Sequence, residues 1–221
     1  YFSNAKAVAL DENFIHREFE KVGSYDRVEK KMADEESGYL LGYLRFGSGT
    51  IQTDFFNERE KDHLIEVRRL FQQGNSLLTM GLIVFGAGIA ALLVLHKRVK
   101  GLSKEELRVR IGKYVFDMKH FSVLVAVIVM LGALLANVIA LLLTAALFNF
   151  ETSFTVFHIL SFERDTWMLD ASDNLIKLFP EQFWADAAAR VVTWSLLYTN
   201  ALLILAIFLY RVTAKGTAVK D

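Results

Sequence analysis

Residues 121–148 read FSVLVAVIVMLGALLANVIALLLTAALF, a run without one Asp, Glu, Lys or Arg. A helix needs about 20 apolar residues to cross the hydrocarbon of a bilayer, so this stretch is long enough to span one. Working outward, residues 71–95 and 191–210 are equally free of charged side chains. One such run could be the buried centre of a soluble core. Three in 221 residues leave too little polar chain to cover them. The expected fold class is an all-α membrane protein with transmembrane helices at 76–96, 121–148 and 190–211. Small residues in the first two, such as Gly81, Gly88, Gly132 and Ala136, let neighbouring helices approach closely.

The loops set the orientation. Residues 97–120 hold eight Lys/Arg against three acids, and the tail at 212–221 is mostly basic. Residues 149–189 hold two basic and seven acidic side chains, and residues 1–75 eleven and fourteen. Lys/Arg-rich loops stay in the cytoplasm. The 97–120 loop and the 212–221 tail are therefore expected inside, and the 1–75 and 149–189 segments outside. A polar segment of that length needs something upstream to carry it across, so a fourth, N-terminal transmembrane helix is expected to precede this chain. The result is a small, mostly helical extracytoplasmic cap made of two pieces distant in sequence.

Composition narrows the chemistry. The net charge is zero, which gives nucleic acid no electrostatic footing, and there is no cysteine. Disulfides, thiolate zinc sites and cysteine nucleophiles are thereby excluded. No Gly-x-Ser-x-Gly elbow, His-Glu-x-x-His pair or phosphate-cradling glycine loop occurs.

Within the outer pieces, DENFIHREFEKVG (11–23) reads as a capped helix ending in glycine. DEESGYLLGYLRFG (34–47) reads as another, with Tyr39, Leu40, Tyr43 and Leu44 on one face, and GSGTIQTD (47–54) as loop. FNEREKDHLIEVRRLFQQ (56–73) has Leu64, Val67, Leu70 and Phe71 at helical spacing and should run into the first span, with a hinge near Gly74-Asn75. Pro180 suits the first turn of a helix leading to the last span.

Five histidines sort by position. His96 and His120 flank spans on the basic side, and His16 lies among charges on a short helix. His63 and His158 stand on the acidic side, each near a span. Imidazoles titrate near neutrality, so a pair at one site suits proton transfer. Helical spacing allows Arg59 and Glu60 to face the same place as His63, although a solvated charged helix accounts for that segment equally well. After His158 come Asp165, Asp170 and Asp173, with Trp167 and Trp184 of the kind that anchors at lipid headgroups.

The stretches FNEREKDHLIEVRRLF (56–71) and FTVFHILSFERDTWMLDASDNLIKLFPEQFW (154–184), each leading to a membrane span, resemble the lipoprotein intramolecular transacylase family of bacterial integral membrane proteins. The resemblance covers nearly the whole chain. It implies an acyltransferase of the cell membrane, typically Gram-positive, with its active site on the extracytoplasmic face. The implied reaction moves the sn-2 acyl chain of a diacylglyceryl-modified lipoprotein to the α-amino group of its N-terminal cysteine, giving a lyso-form lipoprotein. It also implies that the family's two functional histidines fall on His63 and His158.

On that basis the expected catalytic residues are His158, as base oriented by Asp165 or Asp170, and His63, as proton donor or oxyanion partner helped by Arg59. The two roles are exchangeable. Expected substrate contacts are Arg59, Glu60, Asp165, Trp167 and Asp170, with no metal and no cofactor. The partners expected are lipoproteins and membrane lipids. The alternatives are a metal-dependent membrane lipid hydrolase using the same side chains as ligands, and a non-catalytic lipoprotein-binding membrane protein.

Overall fold

The computed structural model describes residues 1–99, 108–111, 114–117, 121–162 and 164–218. Along them run α1 (Phe2–Ala9), α2 (Glu12–Lys21), α3 (Lys30–Phe46), α4 (Glu58–Val99), β1 (Arg108–Ile111), β2 (Tyr114–Asp117), α5 (Phe121–Leu147), α6 (Phe150–Ser161), α7 (Asn174–Leu178) and α8 (Glu181–Ala218). The chain divides into two units, one of residues 1–78 and 142–195, the other of 79–141 and 196–221.

Among the described residues two helices are long and apolar enough to cross a membrane, Val127–Leu147 and Glu181–Arg211, with mean hydropathies of 2.6 and 1.9. They correspond to the second and third expected spans. The first expected span falls in α4, which is continuous from Glu58 to Val99; several of its side chains from 89 onward lie outside the described residues. No hinge interrupts α4 at Gly74-Asn75. Gly74 instead serves close approach: a Cβ there would collide with the Phe2 ring of α1. Asn75 Oδ1 next to it accepts from Lys6 Nζ at 2.8 Å.

Within the expected 97–120 loop the described residues hold one short hairpin in an otherwise helical fold. β1 and β2 pair antiparallel, Arg108 opposite Asp117 and Ile111 opposite Tyr114. RVRI and YVFD flank Gly112-Lys113 in the sequence, the spacing of a two-residue hairpin with strand-type alternation. The rest of that loop, with His120, and the tail beyond 218 lie outside the described residues.

The first unit is built around one apolar cluster that draws on both acidic segments: Phe14, Ile15, Phe19, Leu40, Leu41, Ile51, Phe56 and Leu64 meet Leu175, Leu178, Phe179 and Phe183. α2 forms because Asp11 accepts from Phe14 N at 3.1 Å, satisfying an otherwise orphaned donor. It stops before Gly23, whose φ of 72° few other residues adopt. On α3 the buried face is Ala33, Ser37, Leu40, Leu41 and Tyr43. Tyr39, expected inside, is 47% exposed, since the 33-37-40-41 stripe already fills the helical face toward the core.

The start of α8 is tied to the N-terminal segment at several points. Lys21 Nζ meets Asp186 Oδ2 at 2.7 Å, Arg190 meets Asp11 at 3.2 Å, and Asn4 Nδ2 donates to Val191 O at 3.0 Å. Phe19 is the centre of the aromatic packing, edge-on to Tyr25 at 5.7 Å and to Phe179 at 5.2 Å. Truncating a fully buried Phe costs about 3–5 kcal/mol. Phe19→Ala is therefore expected to lower the thermal midpoint of the detergent-solubilised protein sharply; an unchanged midpoint would contradict this core.

Candidate active site

α4 begins with a reciprocal cap. Asn57 Oδ1 accepts from Glu60 N at 3.0 Å, and Glu60 Oε2 accepts from Asn57 N at 2.7 Å. The second carboxylate oxygen of Glu60 accepts from Leu175 N, in the first turn of α7. Asn57 Nδ2 also donates to Asp173 Oδ1 at 2.8 Å, and Asn174 Nδ2 to Phe55 O at 2.6 Å. The starts of α4 and α7 are thus stapled together, with Glu60 only 1% exposed at the joint. A buried carboxylate is tolerated there because backbone N–H groups at helix starts satisfy it. One turn later, this fixed phase turns His63 inward.

α6 supplies the second imidazole. Nδ1 of His158 lies 2.7 Å from Phe154 O, one turn back. A carbonyl only accepts, so Nδ1 carries the proton, and in the neutral ring the lone pair is on Nε2. The rings of His63 and His158 stack with centroids 6.0 Å apart and planes 27° from parallel. Phe162 packs on both, at 4.8 Å from His63 and 5.2 Å from His158. Trp167 covers His158 at 5.0 Å. Both histidines are 7% exposed.

That burial governs their charge. Removal from water, with the neighbouring His158 adding to it, pushes His63 down from 6.5 to about 4. Burial also lowers His158 below its ordinary value, opposed by the hydrogen bond to Phe154. At neutral pH the site therefore holds two uncharged imidazoles. Nδ1 of His63 is buried with no hydrogen-bond partner among the described residues, so that nitrogen is uncommitted.

Trp167 stands against His158. Arg59 is exposed on the first turn of α4, and Asp170 is exposed, its backbone N donating to Asp173 Oδ2 at 2.8 Å. Among the described residues His158 is oriented by Phe154 O: on a helix the ring reaches the carbonyl four residues back. Glu60 lies at the helix joint, where each of its oxygens accepts from a backbone donor. Asp165 belongs to the 3₁₀ turn Arg164–Trp167, with its side chain outside the described residues. No group of three His, Asp or Glu gathers as metal ligands among the described residues. Phe154 and Phe162 escaped the sequence reading, although the Phe154-His158 spacing of four was visible. A separate open concavity of about 970 Å³, lined by Arg27, Lys31, Glu35, Asp54 and Phe55 among others, does not include the imidazole pair.

Bilayer-length apolar helices fit membrane residence, and a stacked pair of buried imidazoles is a pairing that suits acid–base chemistry. Comparison with known families makes this specific: the profile of the lipoprotein intramolecular transacylase Lit matches residues 2–184, and the chain belongs to that family of acyltransferases. Among solved structures, that of the membrane-integral Lit of Bacillus cereus is similar with a TM-score of 0.71 at 20% identity, over 99% of this chain and 90% of that one. Two structures of the same Bacillus cereus protein, with a histidine replaced by arginine or by alanine, each give 0.61 at 22% identity. They cover 100% and 99% of this chain, and 87% and 88% of theirs. No curated protein matches the chain in sequence.

Proposed function

We propose that this transacylase moves the sn-2 acyl chain of a diacylglyceryl-modified lipoprotein to the α-amino group of the same molecule's N-terminal cysteine. The observation that carries this reading is the 6.0 Å stacking of His63 on His158, two buried neutral imidazoles with no thiol in the chain. The charge pattern of the loops supports a multi-pass chain with three spans, the first being the uncharged part of α4, and the imidazole pair on the extracytoplasmic side.

Donor ester and acceptor amine share one molecule, so positioning replaces an acyl carrier and contributes several kcal/mol. The amine, with an unperturbed pKa of about 8, is partly neutral at physiological pH. Its nitrogen attacks the sn-2 ester carbon as Nε2 of His158 takes the proton. The new N–C bond forms, the tetrahedral oxyanion collapses, and the C–O bond to glycerol breaks. The imidazolium of His158 returns its proton to the departing glyceryl oxygen. His63, kept neutral, donates an N–H to the oxyanion, a role for which an uncommitted buried nitrogen is suited. Of the residues read as substrate contacts, Trp167 supports the reading through its place on His158. Arg59 and Asp170, both exposed, stand in this reading as contacts for polar parts of the substrate.

A crossover experiment tests the reaction. Two synthetic diacylglyceryl-cysteine peptides, one with a deuterated sn-2 chain and the other with a heavy-isotope peptide, are incubated together. The expected products keep each acyl chain with its own peptide; scrambled pairs would contradict an intramolecular path, and glycerides freed of fatty acid would favour the hydrolase alternative.

The pH dependence has a definite sign. The base must be neutral, and burial places His158 below the ordinary 6.5. Activity should therefore fall in two steps as pH drops, first as the substrate amine protonates near its ordinary pKa of about 8, then again below 6.5 as His158 protonates. A kcat/KM profile that shows the amine's limb but no second fall below 6.5 would contradict the assignment.

A further inference from the structure

Trp167 closes one side of the imidazole pair, 5.0 Å from His158 with the planes at 39°. It stands in a 3₁₀ turn of only four residues, Arg164–Trp167. A turn that short has little stability of its own, so the indole needs an anchor. The adjacent Thr166 provides one: its hydroxyl donates to Glu66 Oε2 at 2.6 Å. Glu66 follows His63 by three residues on α4, which puts both on one helical face.

We propose that Glu66 is a positioning residue for the acyl transfer, holding Trp167 against His158 through its hydrogen bond from Thr166. The proposal rests on the transacylase reading of the site. An O–H···O bond of this length to a carboxylate belongs to the stronger, charge-assisted kind. It joins α4, which carries one histidine, to the turn that follows the other, across a separation of 100 residues. Glu66 touches neither reacting atom; it acts by keeping a wall of the site in place.

That wall has a measurable consequence. Burial is the larger cause of the lowered His158 pKa, and the indole supplies part of it. Among the described residues, α4 brings His63 and Glu66 toward this ring, and α6 itself carries only Glu151 besides, exposed two turns away. The side chains of Arg164 and Asp165 in the turn lie outside the described residues. Freeing the indole would admit water, and the imidazole would move back toward 6.5.

The test uses the full chain in detergent with a synthetic diacylglyceryl-cysteine peptide, comparing Glu66→Ala, Thr166→Val, Thr166→Ser and the Glu66→Ala/Thr166→Val double variant. Each of the first two is expected to lower kcat/KM about tenfold, with the double variant no worse than either alone. Thr166→Ser should keep the wild-type rate, and the lower acid limb, that of His158, should rise toward 6.5 in both defective variants. Wild-type rates in Thr166→Val, losses that multiply in the double variant, or an unmoved acid limb would each overturn the proposal. Should Glu66→Ala fail to fold, the Thr166→Val and Thr166→Ser pair decides alone, since one methyl-for-hydroxyl exchange keeps the shape. A wild-type protein that leaves the acyl chain in place on this peptide overturns the transacylase reading itself, a distinct outcome.

Discussion

Replacing His158 by alanine is expected to reduce kcat for N-acyl lyso product by about 10²–10⁴-fold, the range associated with loss of a positioned general base, while KM changes little. The reason lies in how the ring is held. Phe154 O accepts from Nδ1 at 2.7 Å, which commits the lone pair to Nε2 for as long as the ring is neutral. Because the orienting group is a backbone carbonyl, no side-chain change can remove it, and Asp170→Asn, at an exposed position, should leave the rate within about twofold of wild type, since surface changes away from a site rarely matter. If Asp170→Asn matched His158→Ala in severity, orientation by an acid would be restored and the Phe154 contact demoted. The measurement is steady-state turnover of a synthetic lipopeptide, followed by mass spectrometry.

The second large effect belongs to His63. His63→Ala should lower kcat by about 10²–10³-fold, as does removal of one oxyanion donor in comparable sites. Its pKa of about 4 makes it a poor proton carrier at neutral pH but leaves a neutral N–H donor intact. An amide can supply that N–H, so His63→Gln should retain more activity than His63→Ala, with the acid limb of the pH profile still present. Were His63 instead the base, glutamine would be as damaging as alanine and the lower acid limb would vanish, leaving that of the substrate amine. The ordering of the two variants, read from kcat, separates the roles that the sequence left exchangeable.

The fold was legible where physics is local. A 121–148 stretch without a charge has few other uses than a long apolar helix, and α5 occupies Phe121–Leu147. The Asn57-x-x-Glu60 spacing is a capping-box pattern that could have marked the start of α4 and the structural use of Glu60, but attention to the nearby His63 drew Glu60 toward the substrate. Tyr39 lies at the margin of its face: Tyr39, Leu40, Tyr43 and Leu44 share one side of the helix, but the rotation of α3 follows Ala33 and Ser37, small residues that hydrophobicity alone passes over, and leaves Tyr39 at the edge. The hairpin in the 97–120 loop was readable from its alternation and was overlooked among the basic charges that oriented the chain.

The site was less legible, because its parts meet only through tertiary packing. Nothing in spacing brings residues 63 and 158 together; the family resemblance did, and the two rings lie 6.0 Å apart. The Phe154 contact was hidden for another reason. A helical histidine can serve the carbonyl four residues back or an acid elsewhere, and sequence does not decide between them. Glu66 carries no mark of its role in the sequence, since its partner, Thr166, lies 100 residues away.

The central claim is that these two imidazoles run the O-to-N transfer together. Its most direct test is fragmentation mass spectrometry of one synthetic diacylglyceryl-cysteine peptide after equal exposure to wild type, His63→Ala and His158→Ala. The account predicts an acyl group on the α-amine with wild type and an essentially unmoved sn-2 chain with both variants. N-acyl product accumulating at the wild-type rate in either variant would contradict it.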